Sequence, residues 1–259
     1  MRITVFFCSI LLLVALSACN SKSESTSATS QPQAGLTPID PATAGSISGN
    51  VKFSGTLPKA QQIDMSQDPA CGNKPNFDES FVVSNGALAN AFIYVKKGLE
   101  GRSFPAVSTV AKITQQNCRY TPHVMGIVAG QPVQIINADQ TTHNIHPMPT
   151  ASKQWNESQL PNDQPIQKTF NKPELMIPVK CNQHPWMRMY LNVVSNPLFA
   201  VTGPDGRFEI KGLPPGEYTI AAVHEKMGEQ EMKVTIGPKE TKSADFAFVN
   251  SHGVEPRLQ

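Results

Sequence analysis

What this 259-residue sequence lacks narrows its class before any motif is read. Charge of one sign is not in excess: 22 Lys and Arg stand against 20 Asp and Glu, so no nucleic-acid partner is expected. Beyond residue 19 no stretch repeats apolar residues at helical spacing, which argues against a helical bundle. Nor is there an apolar run long enough to span a bilayer. The one candidate, Ile3 to Leu16, falls short of the roughly 20 residues a spanning helix needs and runs directly into polar sequence.

That short run has another reading. Arg2 precedes it, and it ends at Leu16-Ser17-Ala18-Cys19, which resembles the lipobox of bacterial lipoproteins. The resemblance implies a signal peptide over residues 1–19, cut before Cys19, with the Cys19 thiol carrying the lipid that anchors the chain to a membrane. Asn20 stands where an Asp often retains such lipoproteins in the inner membrane. An outer-membrane anchor in the cell envelope, facing the periplasm or the cell surface, is therefore expected. Residues 20–44 are almost entirely Ser, Thr, Ala, Gln, Pro and Gly, too polar to repay the entropy of ordering, and read as a disordered tether. Residues 251–259 read as a polar tail that includes His252.

Between tether and tail, short runs rich in Val, Ile, Phe and Tyr alternate with turn residues, and 22 Pro and 17 Gly punctuate them. The fold class is all-β, a sandwich or barrel. Expected strands are Ile47 to Phe53, Ala91 to Val95, Val133 to Asn137, Leu175 to Cys181, Met189 to Val194, Arg207 to Ile210, Tyr218 to His224, Glu231 to Ile236 and Ser243 to Phe248. Asp205-Gly206 and Pro214-Pro215-Gly216 fold the chain back on itself. The stretch from Thr202 to Ile220 resembles the carboxypeptidase regulatory-like module, a small transthyretin-like sandwich. Gly45 to Phe53 and Leu88 to Val95 resemble its first strands. The resemblance implies that residues 45–105 and 197–250 form one split sandwich around residues 106–196; two sandwiches in tandem would read similarly.

The inner stretch carries two motifs. In the first, Gly130 to Pro147, a strand ends at Asn137-Ala138-Asp139 and His143-Asn144 follows a short loop. The second is Cys181-Asn182-Gln183-His184-Pro185-Trp186-Met187-Arg188-Met189, a C-x-x-H-x-x-x-x-M pattern. Together with Tyr120-Thr121-Pro122 they resemble the plastocyanin-like cupredoxins, over residues 112–195. The resemblance implies a Greek-key cupredoxin sandwich holding one type 1 copper ion. Cys181, His143 and His184 would be the strong ligands and Met189, rather than Met187, the weak one. A thiolate, two imidazoles and a long thioether suit copper in both oxidation states. No C-x-x-x-C is present, which argues against a dinuclear centre. Asn144, His146, Trp186 and Met187 are expected around the ligands. Pro185, Trp186 and Pro147 would rim the mouth with apolar surface and leave the His184 ring edge near solvent. His123 and His224 read as structural residues that could pack where the two parts meet.

The cysteines then sort themselves. Cys8 leaves with the signal, Cys19 takes the lipid and Cys181 has the ion, so Cys71 and Cys118 remain as a disulfide in an oxidising compartment. No catalytic residue is evident, and a saturated copper set leaves no open position for substrate. The reading is a membrane-anchored electron carrier with a redox protein partner, not an enzyme. The alternatives are a lipoprotein that buffers, delivers or senses copper, or a surface binding module without metal.

Overall fold

The structure, a computed structural model, describes residues 37–250 apart from residue 73. Cys19 and the residue 251–259 tail lie outside the described residues. Among the described residues the chain is all-β with no helix, so none is long and apolar enough to cross a membrane.

Alternation explains the strands. In Gly45–Gly55, Ile47, Val51 and Phe53 are buried while Lys52 and Ser54 face solvent. In Arg207–Leu213, Phe208 and Ile210 are buried between exposed Arg207, Glu209 and Lys211. A period of two puts one face on a core and the other in water. Where both faces are covered the alternation vanishes: Phe92, Ile93, Tyr94 and Val95 are all buried.

The strands form two β-sandwich bodies. In the first, one sheet orders Phe199–Val201, Phe92–Lys97, Gly216–His224 and Gly228–Ile236. The other centres on Gly45–Gly55, flanked by Arg207–Leu213, Ala87–Leu88, Thr241–Ser243 and Phe246–Asn250. Its core includes Ile47, Leu88, Ile93, Ile220 and Phe248. Strands between residues 45 and 97 and strands after residue 198 therefore share sheets, and the second body is inserted between them.

That second body stacks Ile166–Thr169, Pro132–Asn137, Ala111–Gln115 and Tyr120–Thr121 in one sheet. The other orders Glu157–Gln159, His143–Pro147, Glu174–Lys180, Arg188–Val194 and Val124–Val128. Ile113, Ile127, Ile135, Val179 and Leu191 fill its core. The two bodies meet through Phe92, Tyr94, Ala221 and Val223 on one side and Val124 and Val194 on the other. Gly126 permits the approach: a Cβ there would stand 2.5 Å from the rings of Phe92 and Phe199.

Three segments differ from the sequence expectation. Residues 63–72, expected among the first strands of the split sandwich, lie against the second body, where Ile63 packs on its core. Met65 and Cys71 join its core, Cys71 is disulfide-bonded to Cys118, and the nearby Asn76 amide donates to the Asn117 carbonyl at 2.6 Å. Thr37–Pro38 pairs with Arg102–Ser103, so the end of the stretch expected as tether touches the fold. The strand expected over Ser243 to Phe248 is two, Thr241–Ser243 and Phe246–Asn250. The break falls where a Cβ on Gly49 would lie 1.8 Å from the Ala244 carbonyl oxygen, and where Asp245 turns in to accept the Asn50 amide at 2.8 Å.

Candidate metal centre

The site begins at two strand ends. Glu174–Lys180 and Arg188–Val194 are antiparallel with Val179 opposite Met189 and Lys180 opposite Arg188. The ladder runs one step further, because the Cys181 amide donates to the Met187 carbonyl at 3.2 Å. The Met187 amide then closes a turn on the His184 carbonyl at 2.9 Å. Met187 thus stands opposite Cys181, and Met189 opposite Val179. All four are buried in one core, as the two-residue period requires for positions sharing a face.

On the other side, His143–Pro147 pairs with Glu174–Lys180 through His146 and Lys180. Asn144 pins the turn: its side-chain oxygen accepts the Asn182 amide at 2.8 Å and the Cys181 thiol at 3.3 Å. The Tyr120 hydroxyl in turn donates to the Asn144 carbonyl.

These elements bring His143, Cys181 and His184 together. All three are buried, with one donor atom each lying within 4.8 Å of the others. The two Nδ1 atoms are 2.9 Å apart, and Cys181 Sγ is 3.7 Å from His184 Nδ1. Burial pushes the Cys181 thiol up, but hydrogen bonding from His143 and from the backbone around Asn144, His184 and Gln183 outweighs it and brings the pKa down to about 6.

The far ring nitrogens face carboxylates. His143 Nε2 is 2.8 Å from Asp139, and His184 Nε2 is 3.0 Å from Asp68. The Thr141 hydroxyl is foremost in holding Asp68 below the usual carboxylate range. For Asp139, burial raises the pKa, but His143 and the Cys118 and Asn117 amides lower it further. Ionised carboxylates only accept, so each Nε2 carries a proton and each ring turns its Nδ1 inward. Two Nδ1 atoms and a low-pKa thiol thus converge on one buried point, an arrangement that calls for a cation between them, a shared proton or a metal ion. The donor set fits a soft metal ion.

Two other groupings, Asp68 with Cys71 and His184, and Cys118 with Asp139 and His143, are also close. Their cysteines are bonded to each other and supply no thiolate. His146 is outside the converging set; its Nδ1 meets the Asn182 side-chain oxygen at 3.2 Å. Trp186 donates its indole N–H to the Cys118 carbonyl at 3.2 Å, and its ring centre lies 5.1 Å from that of His184.

The expectation that the His184 ring edge reaches solvent is corrected. His184 is only 4% exposed, because Asp68, on the segment drawn in by the disulfide, covers its Nε2. The sequence reading missed both Asp68 and Asp139. The available signals were weak: Asp68 is three residues from a cysteine that had to reach Cys118, and Asp139 is four residues before His143. His123 and His224 sit near the junction of the bodies: His123 Nε2 bonds Glu225, and His224 is buried against Phe81 and Phe248.

No family model and no curated protein matches this chain. Solved structures resemble part of it. A purple cupredoxin from Nitrosopumilus maritimus is 22% identical over 32% of this chain and 98% of its own, with a TM-score of 0.28. An amicyanin variant in the Cu(I) form is 18% identical over 34% of this chain and 86% of its own, TM-score 0.29. The copper-containing nitrite reductase from Thermus scotoductus is 17% identical over 38% of this chain, TM-score 0.30, and only 24% of that enzyme's length is covered.

Proposed function

We propose that this protein is a lipid-anchored, mononuclear copper protein that carries electrons in the cell envelope. The observation that carries the reading is the buried convergence of His143, Cys181 and His184, with the two Nδ1 atoms 2.9 Å apart and His184 Nδ1 3.7 Å from the thiol sulfur. Cys181, His143 and His184 would hold the ion strongly and Met189 weakly, as in the plastocyanin-like cupredoxins that the motif spacing resembles. When bound, copper supplies a one-electron couple between Cu(II) and Cu(I). The protein's part is to hold the ligands still. Asn144 fixes the Cys181 turn, the ladder fixes Met187 and Met189, and the carboxylates fix both rings, so little rearranges when the charge changes.

The inserted body would be the cupredoxin sandwich and the split body the regulatory-like module, with Cys19 as the lipid attachment site and a redox protein as partner. The saturated ligand set gives it no turnover of its own.

The test is optical. The copper-loaded chain should show an intense thiolate-to-copper band, and Cys181→Ser should abolish it while the circular dichroism stays β-rich. A colourless form that stays Cu(I) would instead support copper handling, and a chain that takes up no copper would support a binding module without metal.

A further inference from the structure

The segment over His184 is firmly held. Besides the Cys71–Cys118 bridge, Met65 is buried in the second body's core and the Ile63 amide is tied to the Asn76 carbonyl at 2.8 Å. Both oxygens of Asp68 are in use. Oδ1 accepts the Ala70 amide at 2.9 Å; Oδ2 accepts the Thr141 hydroxyl at 2.6 Å and His184 Nε2–H at 3.0 Å. Asp139 is anchored likewise, accepting the Asn117 amide at 2.7 Å and the Cys118 amide at 2.8 Å behind His143. Each ligand ring is therefore backed by a carboxylate that is itself held in place.

A carboxylate behind a ligating imidazole fixes its tautomer and orientation and makes the ligating nitrogen more basic. Its negative charge also favours the more positive state of the ion. We infer that Asp68 is a positioning residue for the metal site: it holds His184 with Nε2 protonated and Nδ1 turned inward, and with Asp139 it favours Cu(II) over Cu(I). This inference rests on the copper reading above. It makes the segment from Ile63 to Gly72 part of the site, although it lies more than a hundred residues before His184 in sequence.

The test uses the full chain loaded with copper. In Asp68→Asn an amide donor must face one of the donors that Asp68 now accepts, so the bond to His184 or its support is lost. Cu(II) affinity should fall about 10- to 100-fold, while the thiolate band remains. If Cu(I) affinity is unaffected, each tenfold raises the reduction potential by about 59 mV. Thr141→Val, which removes one partner of Oδ2 and keeps the charge, should shift the potential in the same direction by less. Asp64→Asn serves as the control, since Asp64 lies on the same segment, is exposed and bonds locally to the Ser66 amide and side chain; it should shift nothing. In the metal-free chain, nitrogen chemical shifts should report the Nε2–H form of His184 in the parent and a mixed tautomer in Asp68→Asn. If copper binds but Asp68→Asn matches Asp64→Asn in both potential and tautomer, the inference fails alone. If the parent takes up no copper, the copper reading fails and the preference for Cu(II) with it.

Discussion

At the scale of single residues, the open choice is between two thioethers on one face. Met187 sits inside the turn, with its amide on the His184 carbonyl and its carbonyl on the Cys181 amide, whereas Met189 begins the regular ladder opposite Val179. Both are buried to within 1%, so burial does not separate them. The spacing does: four residues between His184 and the thioether match the cupredoxin pattern. A long axial bond contributes little to binding but tunes the potential, and Met to Leu nearly conserves volume in a core. Met189→Leu should therefore raise the reduction potential and keep copper bound, while Met187→Leu changes little. Voltammetry of the two copper-loaded variants checks this, and the reverse ranking would move the ligand to Met187.

At the scale of elements, the covering segment and the bridge that fastens it decide how closed the site is. The Cys71–Cys118 link spans 47 residues, and its loss should lower stability by about 2 to 4 kcal/mol, measured as a lower denaturant midpoint in Cys71→Ser with Cys118→Ser. The same variant should loosen Asp68 and move the potential upward without removing the thiolate band; an unmoved potential would mean that Met65 and Asn76 hold the segment alone. This element also marks where sequence reading stopped. Strands such as Gly45–Gly55 and Arg207–Leu213 were legible because Ile47, Val51, Phe208 and Ile210 alternate with polar residues, and His143, Cys181 and His184 were legible because ligand chemistry demands those types close together. Residues 63–72 carry no period and form no strand, so only Cys71 hinted that they cross to the second body. Asp68 meets His184 through space across 116 positions, and such a contact leaves no spacing to read. The burial of His184 was invisible for the same reason.

At the scale of the whole molecule, the two bodies share an apolar junction and, beside it, two histidines of opposite pH behaviour. His123 is pushed down by burial, but Glu225, with help from Glu79 and Asp78, outweighs this and raises its pKa. Its contribution to stability is full below the unfolded value and is lost as pH rises through the folded one. His224 is the reverse. Burial holds its pKa down to about 4, against the ordinary 6.5. Its Nδ1 accepts the Lys226 amide at 3.3 Å, and its Nε2 is buried without a partner. The folded state therefore requires a neutral ring: stability is full above about pH 6.5 and is lost as pH falls toward about 4, on the order of 3 kcal/mol in all. His224→Phe keeps an aromatic ring against Phe81 and Phe248 and removes both the titration and the unpartnered nitrogen. Carboxylates also titrate in that window, so the informative quantity is the difference between variant and parent. The denaturant midpoint of His224→Phe should equal or exceed the parent's near pH 7 and lead it by a growing margin as pH falls to 4. A margin that stays constant across that range would show that His224 is not the group that charges on acidification.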